Sequence, residues 1–481
     1  MLFNSVDFAI FMPIVFIIYW AFSKNGKIQN IFLLAASYFF YGWWDWRYLS
    51  LVLLCSIINY SAGRLMIKNV RQTQRKLILV CSCIVSLGVL GIFKYYDFFV
   101  HSFVDAFSIF GIQLQYHTLN LILPVGISFY TFHTLSYTID VYRRKFEPTK
   151  DIASFFLFVS IFPLAMAGPI ERATNLLPQI YKKRVFDYDQ AVDGMRQILW
   201  GLFKKIVIAD TCAEIVNYTF ENFQTLPASA LVIGAVMFAF QIYGDFSGYS
   251  DMAIGIGKLL GFKFLRNFNY PYFSRDIAEF WRRWHISLTT WFRDYLYIPL
   301  GGSRVSKWKI VRNTFIIYLV SGFWHGANWT FIVWGLFHAL LFVPLILTGK
   351  NRKYTNAISE GRLLPTFKEI GQMLSTFILV TVGWIFFRAD TIKDAIAYLT
   401  GIFNSSIFTR PRIGMETEII TCSILIILML FTEWLGRSEQ YAIANLGKKW
   451  KPLYRFTLYY VILLLVFCFA GDKQTFIYFQ F

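Results

Sequence analysis

Charged residues are scarce in this sequence, and their scarcity excludes an ordinary water-soluble fold. Only 15% of the 481 residues are charged, whereas 57% are hydrophobic and the mean hydropathy is +0.50. Soluble domains contain about 25% charged residues. Because one membrane-spanning helix needs about 20 mostly apolar residues, this chain has material for many spans. The composition therefore predicts an all-α polytopic membrane protein.

Patterns that bind metals are missing. The six cysteines show no CxxC or metal-type spacing, and no two of the six histidines lie four residues apart. The zinc-protease pattern HExxH is therefore absent. We expect no metal site and no permanently bound cofactor.

Familiar hydrolase and nucleotide-binding motifs are missing as well. The serine-hydrolase elbow GxSxG is missed by one position in the stretch GDFSG at 244–248. The glycine-rich stretch at 255–261 forms no dinucleotide loop, because no βαβ unit surrounds it. Threonine, not aspartate, lies five positions after His285 and after His325, so the signature of soluble acyltransferases is also absent.

Positive charge is abundant but not concentrated. The formal net charge is +18, yet Lys and Arg are spread through short loops between apolar runs. The positive-inside rule explains this distribution more simply than nucleic-acid binding does. The loop around Lys24 and the loop at 64–76 are basic, whereas residues 44–48 and 97–117 carry almost no basic side chain. We therefore place the basic loops in the cytosol and the N-terminus outside.

The apolar runs predict eleven to thirteen transmembrane or re-entrant helices. Trp and Tyr often end these runs, as in the interfacial belt of membrane proteins. The first run follows no basic n-region and no small-residue cleavage site, so we expect it to be retained as a span. No repeat or soluble domain is recognisable, which predicts one membrane domain over residues 1–481. The predicted spans are 8–22, 31–44, 49–60, 77–93, 119–138, 152–167, 194–215, 228–244, 312–324, 328–347, 371–387, 417–434 and 456–470.

The segment from Tyr243 to Arg304 differs from lipid-facing helix. It is dense in charged residues, glycine and aromatic side chains. Ionisable groups at membrane depth are costly unless they are buried in protein or line a watery cavity, so this segment is a functional candidate. Within it, residues 279–304 alternate aromatic and charged side chains, which predicts amphipathic helices lying partly in the interface. We expect their arginines to form salt bridges or contact headgroups, with phosphate binding as the less favoured interpretation.

Two histidines are candidates for chemistry. His325 lies in SGFWHGANWTFIVWGLFHAL, among aromatic and small residues between two apolar runs. Burial disfavours a charged imidazole, so a neutral ring able to accept a proton is expected there. His285 precedes it by forty positions (325 − 285), far enough for the two to lie on separate helices and approach across a cavity. A structural role in helix packing stays open for both, and His133 and His338 are expected to face the helix bundle.

Seven stretches of the sequence resemble those of a known family. They are MLFNSVDFAIF, LPVGISFYTFHTLSYTIDVYRR, FPLAMAGPIER, QIYGDFSGYSDMAIG, RRWHISLTTWFRDYLYIPLGGSR, FWHGANWTFIVWGLFHAL and GWIFFRAD. In this order the chain resembles the membrane-bound O-acyltransferases, and within them the bacterial alginate O-acetyltransferase branch. The related D-alanyl transferases of teichoic acid share both histidine segments. They generally lack the YIPLGGSR continuation at Tyr297 to Arg304, so the resemblance favours polysaccharide acetylation.

The resemblance implies both a fold and a function. It implies helices around a central cavity, with a catalytic segment at 243–340 in which His325 is catalytic and His285 is its partner. It implies that acetyl from cytosolic acetyl-CoA crosses the bilayer for O-acetylation of an exported cell-surface polysaccharide such as alginate. An exported partner protein with a serine-hydrolase-like (SGNH) fold would complete the transfer. The implied location is the bacterial inner membrane.

Five further residues are candidates for substrate contacts. Asn328 and Trp329 follow the histidine of the FWHG segment by about one helical turn and could donate hydrogen bonds into the same cavity, although helix packing is the favoured interpretation. Lys258, Lys263 and Arg266 could form a basic cytosolic vestibule for the phosphates of CoA. Each of these three equally fits a loop residue that follows the positive-inside rule.

Other classes of function stay open from the residues alone. A polytopic bundle with buried polar groups fits a flippase or transporter that moves an acyl-carrying substrate without chemistry, although no inverted pair of broken helices is recognisable. D-alanyl or other acyl transfer to a cell-envelope polymer is a second alternative. A scaffold for polymer export would leave the two histidine segments unexplained.

Overall fold

The protein is helical, as its composition predicts. A computed structural model describes residues 1–68, 71–411, 413–471 and 474–477, and within these ranges it contains nineteen α-helices and no β-strand. The helices are α1 (Val6–Ala21), α2 (Gly26–Asp45), α3 (Leu49–Lys68), α4 (Gln72–Leu90), α5 (Tyr96–Ser108), α6 (Ile127–Tyr142), α7 (Ile152–Ser160), α8 (Ala173–Tyr181), α9 (Tyr188–Leu202), α10 (Thr211–Glu221), α11 (Ala228–Leu259), α12 (Ile277–Arg283), α13 (Ile286–Phe292), α14 (Lys307–His325), α15 (Trp329–Leu347), α16 (Phe367–Arg388), α17 (Ile392–Ile402), α18 (Glu416–Leu435) and α19 (Pro452–Cys468). Short π-helical turns at Gly91–Tyr95, Phe203–Asp210 and Arg293–Tyr297 connect some of them.

Six helical stretches among the described residues are long and apolar enough to cross a bilayer, which confirms a polytopic membrane protein. They are Gly26–Lys68, Gln72–Ser108, Ala228–Leu259, Trp329–Leu347, Phe367–Arg388 and Glu416–Leu435, and α1 and α19 are shorter apolar helices. The first stretch contains both α2 and α3, joined by the 3-10 turn Trp46–Tyr48, so it covers two of the predicted spans.

Two predicted spans are longer than the helices that form there, because proline interrupts them. The run at 119–138 becomes helical only with α6, after Pro124 and after Gly126, whose φ is 75°. The run at 152–167 ceases to be helical where α7 ends, three residues before Pro163. Proline lacks the amide hydrogen that a helix uses and disfavours the helical conformation of the preceding residue. A prediction from apolar composition alone therefore makes both helices too long.

The chain forms two compact units. Unit 1 comprises Met1–Ala191 and Ile256–Leu265, and unit 2 comprises Val192–Gly255 and Arg266–Phe481. The predicted catalytic segment at 243–340 contributes to both units, because its residues 256–265 belong to unit 1. Both candidate histidines belong to unit 2. The single membrane domain over 1–481 and the central cavity stay predictions.

Unit 1 is anchored by buried polar side chains. The Arg184 guanidinium, 5% exposed, donates to the side-chain oxygens of Gln29, at 3.0 Å, and of Asn30. His133 is 1% exposed, and its Nε2 accepts a hydrogen bond from the backbone N–H of Glu171 at 3.0 Å. The prediction that His133 faces the helix bundle is therefore confirmed.

Unit 2 contains an ionic network around two adjacent lysines of the apolar run predicted as the span 194–215. The Lys204 ammonium lies 2.6 Å from a carboxylate oxygen of Asp251. The Lys205 ammonium lies 2.8 Å from Asp210 and 2.7 Å from Asp245, and the Lys205 side chain is 5% exposed. Buried charges are tolerated when they are paired in this way.

Candidate active site

The helical hairpin of α14 and α15 positions His325, which is the last residue of α14. Two glycines lie where the helices touch. A Cβ at Gly322 would meet the carbonyl oxygen of Phe331, and a Cβ at Gly335 would meet the carbonyl oxygen of Tyr318. Backbones can approach this closely only where no side chain intervenes. The contact at Gly322 is three residues, about one helical turn, from His325 and therefore fixes where its imidazole lies.

A short connection with its own cap joins the two helices. Gly326 has an extended backbone (φ −158°, ψ 152°), which ends α14 directly after His325. Asn328 is the N-cap of α15: its Oδ1 accepts from the backbone N–H of Thr330 at 3.0 Å, and its Nδ2 donates to the carbonyl of Asp390 at 2.8 Å. The oxygen of the Asn328 amide thus caps α15, and its nitrogen bonds the connection between α16 and α17, in line with the favoured packing interpretation.

Trp329 differs from its neighbour in exposure. It is the first residue of α15, and 52% of its surface is exposed. A substrate contact by Asn328 or Trp329 stays a prediction.

Aromatic rings surround His325, whose own surface is 3% exposed. The centroid of its imidazole lies 4.9 Å from that of Trp324, 5.1 Å from that of Trp334 and 5.4 Å from that of Phe387. All three rings meet the imidazole in edge-to-face geometry. Such an enclosure excludes bulk water and disfavours a permanent charge on the ring.

His285 lies at the start of α13, where it occupies the N-cap position with φ 43° and ψ 53°. The residue is 0% exposed, and Phe246 packs edge-to-face on its ring at 4.7 Å between centroids. His285 lies outside the six apolar stretches, and burial lowers its pKa from 6.5 to about 3. Its imidazole is therefore neutral at pH 7.

Asn267, in the loop that follows α11, holds His285 in place. The Asn267 side chain is fully buried, and its Oδ1 lies 3.1 Å from Nδ1 of His285. The same oxygen accepts from the backbone N–H of Ser287 at 3.3 Å and from its hydroxyl at 2.9 Å. The backbone carbonyl of Asn267 accepts from the N–H of Ile286 at 2.8 Å. The loop is thereby bonded to the first turn of α13.

The two histidines lie close together, as their spacing in the sequence allowed. Their ring centroids are 6.4 Å apart, at an interplanar angle of 62°. Each ring nitrogen lies about 1 Å from its centroid, so the nearest nitrogens are about 4 Å apart or more, whereas hydrogen-bonded nitrogens lie about 3 Å apart. The two imidazoles therefore do not hydrogen-bond to each other directly. The catalytic roles of both residues stay predictions.

His338, on α15, is the third buried histidine of unit 2. It is 0% exposed, and Nε1 of Trp281 donates to its Nδ1 at 3.4 Å. Its ring lies 5.0 Å from Trp334, which in turn packs on His325. The expectation that His338 faces the helix bundle is confirmed.

The charges of α12, at the start of the segment 279–304, are paired inside unit 2, and whether the segment lies in the membrane interface stays a prediction. Glu279 is 1% exposed, and its carboxylate lies 2.8 Å from the guanidinium of Arg275 and 2.8 Å from that of Arg283. The predicted salt bridges are therefore present, but in the interior of unit 2. Arg293 pairs with Asp294 at 2.8 Å, and its side chain is 58% exposed. Only this later part of the segment is surface-exposed.

The three basic candidates for CoA binding lie in different surroundings. Lys258 is half-buried and Lys263 is exposed, and both belong to unit 1. Arg266 belongs to unit 2, where its Nε donates to the carbonyl of Phe268 at 2.6 Å and its guanidinium lies 5.1 Å from the ring of Tyr270. A vestibule for CoA formed by these residues stays a prediction.

Sequence reasoning missed several residues of this site. Asn267 lies inside the predicted functional segment, but an asparagine in a loop has no local signature that marks it. Phe246, Trp334 and Phe387 are three of the 95 aromatic residues of the chain (52 Phe, 28 Tyr and 15 Trp), so composition could not single them out. For the ionic network a signal existed, since adjacent lysines in an apolar run require buried partners.

The sequence is similar to those of known membrane enzymes. Residues 31–370 match the membrane-bound O-acyltransferase family. The chain is 40% identical over 393 residues to the probable alginate O-acetylase AlgI of Pseudomonas aeruginosa, covering 82% of this chain and 72% of that protein. It is 35% identical over 432 residues to the peptidoglycan O-acetyltransferase of Helicobacter pylori, covering 84% of this chain and 80% of that protein.

A teichoic acid D-alanyltransferase is a more distant relative. The protein of this name from Streptococcus thermophilus is 28% identical over 346 residues, covering 65% of this chain and 77% of its own length. The family match includes both His285 and His325 and extends over more than half of the chain. On these grounds the chain belongs to the membrane-bound O-acyltransferase family and is an O-acyltransferase.

Proposed function

We propose that this protein transfers acetyl from cytosolic acetyl-CoA for the O-acetylation of an exported cell-surface polysaccharide. The observation that carries the proposal is the pair of buried imidazoles, 6.4 Å apart, in an aromatic enclosure of an O-acyltransferase. The relatives named for alginate and for peptidoglycan both acetylate carbohydrate polymers by name. An acceptor with free sugar hydroxyls is therefore the substrate class we favour.

In the proposed reaction, His325 acts as the general base. Its neutral imidazole takes the proton of the acceptor hydroxyl while that oxygen attacks the acetyl carbonyl carbon of the thioester. A tetrahedral oxyanion forms and collapses as the carbon–sulfur bond breaks. The imidazolium then returns its proton to the departing sulfur, so that CoA leaves as the thiol and the acetyl ester remains on the acceptor. Exclusion of water by the aromatic rings protects the thioester from hydrolysis.

We place this reaction at the bacterial inner membrane, with the N-terminus outward and the basic loops on the cytosolic side. Lys258, Lys263 and Arg266 are the candidates to hold the phosphates of CoA there. The acceptor is an exported SGNH-type partner protein or the polymer itself. The distribution of Lys and Arg in the loops supports this orientation.

The test uses purified protein in proteoliposomes, supplied with radiolabelled acetyl-CoA and an exported acceptor. The wild type should release free CoA and label the acceptor. For His325→Ala we expect a loss of about 100-fold or more, because a positioned general base contributes about 10²–10⁴-fold. For His285→Ala we expect a severe loss.

His338→Ala is the matched control, since it also removes a buried imidazole from unit 2 but leaves the pair intact. It should retain far more activity than His325→Ala at equal membrane abundance. Wild-type levels of acetylation by His325→Ala would refute the catalytic assignment of His325. Unchanged turnover by His285→Ala would show that His285 has only a structural role in packing. Translocation of label without release of CoA would instead indicate a transporter, and D-alanine transfer would indicate the other acyl branch.

A further inference from the structure

The side chain of Asn267 has only one possible orientation. A backbone N–H can only donate, so the side-chain atom that faces the N–H of Ser287, at 3.3 Å, must be the amide oxygen. The opposite end, Nδ2, donates to the hydroxyl of Ser250 at 3.2 Å. The N–H of Ser287 thus fixes the orientation of the amide, and the Ser250 hydroxyl, which can donate or accept, is compatible with it.

This orientation determines which nitrogen of His285 carries the proton. An amide oxygen accepts hydrogen bonds and cannot donate them. Because Oδ1 of Asn267 lies 3.1 Å from Nδ1 of His285, that nitrogen must be the protonated one. In the opposite tautomer, two lone pairs would face each other across a buried contact. In the neutral ring, Nε2 is then the nitrogen that carries no proton.

We infer that Asn267 is a positioning residue that holds neutral His285 as the Nδ1–H tautomer and thereby makes Nε2 its basic nitrogen. The inference rests on the proposed function only for its consequence in catalysis. A neutral imidazole whose Nε2 lacks a proton can accept from an acceptor hydroxyl or take up a proton. It cannot donate from Nε2 to polarise the acetyl carbonyl. A polarising role for His285 is thereby excluded, which leaves two roles: it orients the acceptor hydroxyl or relays a proton.

The tautomer can be observed directly and without an activity assay. Solid-state NMR of the full-length protein, labelled with ¹⁵N-histidine in bilayers, distinguishes protonated from unprotonated Nδ1 and Nε2. The six histidines are resolved by difference, since His285→Asn removes the signal of interest. We expect a protonated Nδ1 and an unprotonated Nε2 for His285 at neutral pH. A protonated Nε2 in the wild type would overturn the inference whatever the activity is.

Variants of Asn267 test whether this residue selects the tautomer of His285. Asn267→Leu keeps the approximate size but removes the acceptor, so the Nε2–H form of His285 should appear. By analogy with the hydrogen-bond partners of metal-binding histidines, kcat should fall by about 10- to 100-fold. Asn267→Asp keeps an oxygen opposite Nδ1 and should retain the tautomer and more activity than Asn267→Leu. Ser250→Ala is the matched control, because it removes only the bond to Nδ2 and should leave the Nδ1–H form in place.

The outcomes separate this inference from the proposed function. An Nδ1–H signal that persists in Asn267→Leu would show that Asn267 does not select the tautomer. Should Asn267→Leu fail to accumulate, the wild-type and Asn267→Asp spectra decide, and loss of the Nδ1–H form in Asn267→Asp would contradict the inference. If the tautomer behaves as expected while the wild type releases no CoA with an acceptor, the proposed function fails and the assignment of the tautomer stands.

Discussion

Replacing Gly322 by alanine should increase the distance between α14 and α15 and displace His325. The added methyl group would lie 3.0 Å from the carbonyl carbon of Phe331 and still closer to its oxygen. These are backbone atoms of the paired helix, so no side chain can turn aside to make room. Carbon atoms in ordinary contact lie about 3.5–4.0 Å apart, and the helices must therefore separate by about 1 Å.

The size of the effect follows from this displacement. His325 lies three residues beyond Gly322 on the same helix, and a misplacement of about 1 Å in an active site can reduce the rate about 100-fold. A 100-fold loss corresponds to about 2.7 kcal/mol of transition-state stabilisation. Overpacking of this kind also destabilises a fold by about 1–3 kcal/mol. We therefore expect protein that still reaches the membrane but transfers acetyl about 100-fold more slowly.

The assay compares Gly322→Ala with Gly371→Ala in the same proteoliposome reaction. Gly371 lies on α16 of the same unit, and a Cβ there meets no atom within 4 Å. Because alanine is favoured over glycine in helices by up to about 1 kcal/mol, Gly371→Ala should leave both activity and melting temperature at or above those of the wild type. Equal activity of the two variants would refute the argument that the close helix contact positions His325.

Two further substitutions test the packing of unit 2 and the cap of α15. Lys205→Met leaves the carboxylates of Asp210 and Asp245 without their buried cation and should destabilise the fold by about 3–5 kcal/mol. Arg47→Met, which removes the exposed ion pair between Arg47 and Asp45, should change stability far less. Melting curves followed by tryptophan fluorescence compare the two variants, and equal shifts in melting temperature would contradict the role of Lys205 as a buried partner. Asn328→Ala should cost about 1 kcal/mol through loss of the cap, and Asn328→Asp should retain most of that stability. If Asn328→Asp keeps the melting temperature but loses acetyl transfer, the predicted substrate contact describes this residue better than capping does.

The fold class could be predicted because it depends on local properties of the chain. Backbone groups in a bilayer must be satisfied within the segment, so apolar runs become helices wherever the chain permits. The helix ends were harder to predict, since Pro124 and Pro163 interrupt runs whose hydropathy continues unchanged. The burial of α12 inside unit 2 was not predicted either. Its charges look interfacial in sequence, but Glu279 is paired within the fold.

The candidate site was predicted only as far as the resemblance extended. It identified His325 and His285, while their spacing allowed but did not require an approach to 6.4 Å. Asn267 could not be predicted, because its contact with His285 arises only when the loop after α11 returns to the start of α13. Such contacts depend on tertiary structure, and no window of local sequence contains them.

The backbone at His285 changes how substitutions there should be interpreted. With φ 43° and ψ 53°, this residue forms a left-handed corner, a conformation that costs most L-residues about 1–2 kcal/mol. Histidine and asparagine tolerate it better than alanine does. His285→Ala therefore removes the imidazole and also introduces backbone strain at this position. His285→Asn tolerates the left-handed backbone conformation and removes only the ring. The difference in activity between the two variants therefore measures how much of the loss comes from backbone strain rather than from the missing imidazole.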